Sequence, residues 1–187
     1  MTAQADELSG LVDDAVRGDV DAITALIRLS RRDVRRFLSS MAPAAEIEDL
    51  TQETFLRVIR ALPGFAGQST VRTWLFAIAR RVAADHARRT SRRPRVAALP
   101  DWQTTAESVT PIGTSRFEEQ HATADLIAGL PAARRDAFLL TQIAGLSYVE
   151  AADVIGCPIG TVRSRVARAR DDLITLMSDD RGERRTA

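Results

Sequence analysis

Between Cys157 and Arg170 the chain reads CPIGTVRSRVARAR, with four arginines in eight residues and no acid among them. A guanidinium is a planar fork that can bond O6 and N7 of guanine together or grip a phosphate. At a helical step, Val162, Val166, Ala169 and Leu173 share one stripe, while Ser164, Ala167 and Arg168 point away from it. Arg163 and Arg170 then lie on one flank and Arg165 on the other. Such a run in isolation is ordinarily a solvated helix face. What precedes it shifts the balance.

The preceding stretch, LSYVEAADVIG, opens with Ser147 and Glu150 at capping-box spacing, with Leu146 placed to staple onto Ala151. This predicts a short helix over 148–155, stopped by Gly156, Cys157 and Pro158, with the arginine helix beginning directly afterwards. Two helices about so tight a turn form a helix-turn-helix, whose second helix enters the DNA major groove. Its chemistry is recognition, with guanidinium groups aimed at base edges and at the phosphates on either wall.

A second basic region, RTWLFAIARRVAADHARR, runs from Arg72 to Arg89. Leu75, Ile78, Ala79, Val82 and His86 form its inner side, and Trp74, Arg81 and Arg88 recur every seventh residue on an offset stripe. Seven arginines lie between Arg80 and Arg95 against one acid, Asp85. Arginines there would neutralise phosphates, and an aromatic could pack on sugar or base. Glu46 to Leu62 differs in sign. Phe55, Ile59 and Leu62 are expected inside, with Glu46, Asp49 and Glu53 outside and Arg57 and Arg60 beyond. An acidic face repels DNA, so a protein is the better partner for it.

The elements that must position these groups read as helices throughout, with no strand alternation. Expected helices cover 11–16, a longer one capped by Asp19 and ended by Pro43, 46–62 before Pro63 and Gly64, and 70–89 after a Gly-rich loop. Residues 91–116 have scattered Pro, Ser and Thr and read as a linker. Helices resume near Phe117, and Pro131 and Gly145 bracket another. The fold class is all-α, with two small helical domains, 1–90 and 117–180, joined by the flexible linker 91–116 and followed by a tail, 181–187.

Composition excludes several classes. The chain has 187 residues and a formal charge of +1, and all 26 of its basic residues are arginine. One cysteine forbids an intramolecular disulfide, and with two histidines it cannot build a structural zinc site without help from carboxylates or a partner. A reducing, cytoplasmic setting is expected. No signal peptide opens the chain, and its longest apolar run, Trp74 to Ala79, is too short to cross a membrane. Cys157 reads as a small apolar filler in a turn, His86 as a boundary residue, and His121 lacks a partner at recognisable spacing. No catalytic residue, metal or cofactor is expected, so the protein reads as a non-enzyme.

Three blocks in this order, DLTQETFLRVIRALPGF, TWLFAIARRVAADHARR and GLSYVEAADVIGCPIGTVRSRVARAR, resemble the sigma factors of bacterial RNA polymerase. The likeness is to the extracytoplasmic-function group, which keeps only the second and fourth sigma domains, and it covers nearly the whole chain. It implies a sigma2-like bundle and a sigma4-like helix-turn-helix domain. Asp49, Gln52 and Glu53 would contact core polymerase at the β′ clamp helices, and the second domain would meet the β flap. Arg163, Ser164 and Arg168 would face minus-35 DNA, with Thr161 and Arg165 toward phosphates. In the first domain, the loop from Gly64 to Thr70, with Phe65, and the next helix, with Trp74, Arg80, Arg81 and Arg88, would hold an unstacked minus-10 base.

The family pattern is broken at Arg81, where many relatives have asparagine, and at Ala167, where an aromatic is frequent. The linker would thread toward the active-site cleft, with Trp102 as an anchor, and an anti-sigma protein is a further implied partner. The rival class is a helix-turn-helix regulator on an operator. Such proteins usually dimerise on paired half-sites, and this chain shows no dimerisation helix.

Overall fold

The computed structural model describes residues 2–92 and 126–183. The expectations for Trp102, Phe117, His121, the linker beyond Arg92 and the last four residues lie outside that range. Among the described residues there is no strand. Helix α1 spans Thr2–Val16, α2 Val20–Leu38, α3 Ile47–Ala61 and α4 Val71–Arg92. The second domain holds α5, Ala132–Phe138, then a π-helical turn Leu139–Ile143, α6, Tyr148–Ile155, and α7, Ile159–Glu183.

Local chemistry explains most boundaries. Asp19 is the N-cap of α2 and accepts from the Ala22 backbone N–H at 2.8 Å. That helix ends at Leu38, short of Pro43, where the ladder tightens to i→i−3 bonds, Ser40 N–H to Phe37 O at 3.2 Å and Met41 N–H to Leu38 O at 2.9 Å, so Met41 lies beyond the last α-turn. Helix α4 runs to Arg92, past the expected end and into the linker, since no helix breaker occurs before Pro94. The expected helix between Pro131 and Gly145 is present, but its second half is π-helical. Ala144 N–H bonds Leu139 O at 2.9 Å, so one extra residue is accommodated per turn. The capping box forms as expected, with Glu150 N–H to Ser147 Oγ at 3.2 Å and Ser147 N–H to Glu150 Oε2 at 2.9 Å. Gly156 closes α6 at φ 74°, a left-handed conformation that glycine adopts without Cβ strain.

In the first domain Leu26, Val34, Phe37 and Leu38 of α2 pack with Leu50 and Val58 of α3 and with Leu75, Phe76, Ala79 and Val82 of α4, all buried. Phe37 and Phe76 meet edge to face, 5.3 Å between centroids. Each such buried side chain contributes about 1.5–3 kcal/mol relative to exposure. The buried hydroxyls of Ser30, Thr51 and Thr54 return to backbone carbonyls one turn earlier, so their burial leaves no unmet donor. In the second domain Val162 and Val166 share an apolar cluster with Leu139, Leu140 and Ala151, and Ala169 is buried as well. The two cores join into one apolar cluster where α4 packs against α6.

Candidate nucleic-acid and polymerase interface

The recognition helix presents what its spacing promised. Val162, Val166 and Ala169 are buried, while Arg163, Ser164, Ala167, Arg168 and Arg170 are exposed. Arg168 has no side-chain partner among the described residues. Arg163 lies over the Tyr148 ring at 5.9 Å, a cation–π contact from the second helix of the motif to the first. Arg165 is half-buried, with Nη1 3.6 Å from Cys157 Sγ, and Ser164 Oγ bonds Thr161 O at 2.9 Å. Thr161, Ser164, Arg165 and Arg168 therefore share the solvent side of the first turns of α7, with Arg163 on the flank.

The first-domain candidates divide between two faces. Phe65 and Trp74 stack at a 53° tilt, 5.0 Å between centroids, each half-buried. Arg81 is exposed two turns along α4 from Trp74, and Arg88 is exposed and paired with Asp85. Arg80 lies on another side of α4. Its Nε donates to Asp136 Oδ2 of α5 at 2.7 Å, with side-chain exposures of 25% and 15%. On the same side, Thr73 Oγ1 donates to Glu150 Oε1 at 2.8 Å and Thr70 Oγ1 at 3.2 Å.

Burial raises the Glu150 carboxyl pKa, but bonds from the Ser147 backbone and side chain, Thr73 and Thr70 outweigh it and leave it below the usual glutamate range. Arg72 completes the seam. It donates to Ala144 O at 2.8 Å and 3.2 Å and pairs with Asp33 of α2 at 3.2 Å. The second domain thus covers one side of α4, including Arg80, and leaves the stripe through Arg81 and Arg88 exposed. Arg72, Asp136 and Glu150 were not singled out from sequence for this seam. Nothing in their local pattern points across 56 to 80 positions of chain.

On α3, Asp49 and Gln52 are exposed and Glu53 half-exposed. Glu53 accepts from Arg57 Nε at 2.7 Å, and Arg57 Nη1 reaches Asp85 Oδ2 at 2.8 Å. The bond to Asp85, then that to Glu53, holds the Arg57 guanidinium above its usual pKa, and Arg57 in turn lowers that of Asp85. Charges thus run Glu53, Arg57, Asp85, Arg88 from the acidic helix to the basic one. Ile59, expected inside, is 40% exposed, and Leu56 is 48% exposed. The correction follows from α2, which packs along α3 but leaves a shallow apolar groove lined by Ile27, Thr51, Phe55, Leu56 and Ile59, with Gln52 and Arg31 at its edge. Glu46 belongs to the fold instead, paired with His86.

These features define a class: an all-helical protein with a helix-turn-helix that exposes an arginine face, and a first domain that carries a separate basic helix and a helix with exposed acids. Residues 26–93 match the family described as Sigma-70 region 2, and residues 120–173 the one described as Sigma-70, region 4. The ECF RNA polymerase sigma factor SigC of Mycobacterium tuberculosis is 45% identical over 182 residues, covering 96% of each chain. A solved structure of CnrH in complex with the cytosolic domain of CnrY superposes with a TM-score of 0.72 at 25% identity, covering 91% of this chain and 96% of that one. RpoE from Bartonella quintana, solved with the anti-sigma factor NepR, gives a TM-score of 0.67 at 26% identity, covering 85% and 98%. The chain belongs to the sigma-70 family of RNA polymerase sigma factors, in its extracytoplasmic-function group.

Proposed function

We propose that this sigma factor docks on core RNA polymerase through α3 and directs initiation at promoters with unlike minus-35 and minus-10 elements, as a cytoplasmic, non-enzymatic subunit. The observation that carries it is one apolar groove between α2 and α3, lined by Phe55, Leu56 and Ile59 with Gln52 at its edge, on the helix that also exposes Asp49 and part of Glu53. The groove takes the β′ clamp helices. Leu56 and Ile59 supply the apolar contact and the acids the register, in the usual pattern of an apolar centre with a charged rim. The second domain, 117–180, meets the β flap.

On DNA, Ser164 and Arg168 read minus-35 base edges while Thr161, Arg163 and Arg165 hold phosphates. Phe65 and Trp74 form an aromatic ledge on which an unstacked minus-10 base can lie, with Arg81 on the adjoining phosphates and Arg88 joining it once it leaves Asp85. Arg80 joins them once its pair with Asp136 is given up, so promoter capture requires the second domain to leave α4. An anti-sigma protein is the natural regulator, in keeping with the partners of CnrH and RpoE.

The test is a pair of variants measured side by side. Asp49→Ala with Glu53→Ala should weaken comigration with core polymerase while leaving the thermal melt of the free chain unchanged, since Arg57 keeps Asp85. Equal core binding by the variant would remove the acidic face from docking.

A further inference from the structure

Arg163 is exposed on α7, and it is held by a different kind of partner from the arginines that tie the fold together. Arg57, Arg72, Arg80 and Arg134 each hold a carboxylate, which fixes the guanidinium but also neutralises it. Arg163 has no carboxylate among the described residues. Its guanidinium carbon lies instead over the Tyr148 ring, 5.9 Å from the centroid. An aromatic face attracts a cation through its quadrupole and leaves the charge in place. Arg72 also lies over a ring, that of Phe76 at 5.5 Å, yet it is tied to Asp33 and to Ala144 O as well. Arg163 is thus oriented and still free to bind an anion.

The platform beneath it is itself fixed. Tyr148 is the first residue of α6, next to the N-cap Ser147, and the capping box with Glu150 sets the backbone of that turn. Its ring is half-buried and packs against the apolar cluster, with only two side-chain torsions to order. A long exposed arginine has far more rotamer freedom to lose on gripping a ligand, so holding it beforehand lowers the cost of binding. Position narrows the partner. Arg163 is turned ~100–140° around α7 from Ser164 and Arg168, toward the start of α6. When a helix-turn-helix sits on DNA, its second helix enters the groove while its first crosses the sugar-phosphate backbone. A guanidinium held over the first residue of that first helix meets a phosphate of the groove wall and not a base edge. We propose that Tyr148 is a positioning residue for minus-35 binding, its ring orienting Arg163 onto a backbone phosphate beside the start of α6 before DNA arrives. This rests on the reading of α7 given above.

The test uses the full chain assembled with core polymerase on a promoter mapped by run-off transcription. Affinity is measured over a salt titration for the natural chain, Tyr148→Phe, Tyr148→Leu, Arg163→Gln, and Tyr148→Leu with Arg163→Gln. Arg163→Gln should lower the slope of log affinity against log salt by roughly 0.9, one duplex phosphate. Tyr148→Leu should lose about two- to fivefold in affinity, the size of an exposed cation–π contact, and should cost nothing further once Arg163 is glutamine. Tyr148→Phe should keep the natural affinity, because the ring face remains. Comparing the two backgrounds cancels any loss of folding that Tyr148→Leu causes in both. No loss in Tyr148→Leu, or an equal loss with and without Arg163, overturns the positioning role. A loss in Tyr148→Phe as large as in Tyr148→Leu also overturns it and makes the hydroxyl the group that matters. If Arg163→Gln changes neither affinity nor slope, the phosphate reading of that flank of α7 falls, and the role of Tyr148 with it.

Discussion

Arg80 of α4 and Asp136 of α5 form a half-buried ion pair at 2.7 Å, joining a residue proposed for the minus-10 surface to the domain that carries the helix-turn-helix. A guanidinium committed to a carboxylate cannot neutralise a phosphate. In the free chain one side of α4 is therefore closed to DNA by the chain's own second domain.

Asp136→Ala should loosen that closure. Exposed pairs contribute about 0.2–1 kcal/mol, and this one is more enclosed, so a shift of about 1 kcal/mol, or roughly fivefold, toward separated domains is expected. Energy transfer between dyes on the two domains measures it. No change in mean separation would show that the apolar seam alone holds the domains together.

Acid should weaken the second domain through Glu150. Burial raises its carboxyl pKa, but bonds led by those from the Ser147 backbone and side chain in the capping box leave it below the usual glutamate range, so the folded domain is favoured where the carboxyl is charged. The contribution is complete above the ordinary glutamate range and is lost as pH falls through the lowered value. Glu150→Gln should flatten this part of the pH dependence of thermal stability, compared with the natural chain. It should also weaken α6, because the capping box loses its charged acceptor; N-cap interactions are typically worth about 0.5–2 kcal/mol.

Much of this was legible in sequence because it is local. The capping box, the Gly156 turn and the buried stripe of α7 depend on residues within a few positions of each other, where spacing alone fixes the geometry. Ile59 was not legible. Its helical position suits either side of α3, and only the width of α2 packed alongside decides that it stays in the groove. The seam of Arg72, Asp136 and Glu150 was hidden for a related reason, since charged side chains at ordinary helix-surface positions carry no mark of a partner in another domain.

Leu56→Asp with Ile59→Asp should abolish core binding with little effect on folding, because both side chains are already largely exposed. An apolar anchor at an interface centre is commonly worth 1–2 kcal/mol or more, so a loss of at least tenfold in core affinity is expected. Titration of labelled chain with core polymerase would read it.

Arg168→Ala should weaken minus-35 recognition by roughly 1–3 kcal/mol and relax preference at a single base position. Selection of bound sequences from a randomised minus-35 element gives the profile. A uniform loss across all sequences would assign Arg168 to a phosphate.

Run-off transcription with core polymerase and genomic fragments tests the central claim most directly. RNA should start at discrete sites that share two unlike, fixed-spacing upstream elements, and those starts should be lost with Asp49→Ala/Glu53→Ala. An absence of starts and of comigration with core, together with protection of a symmetric DNA site by the chain alone, would contradict it.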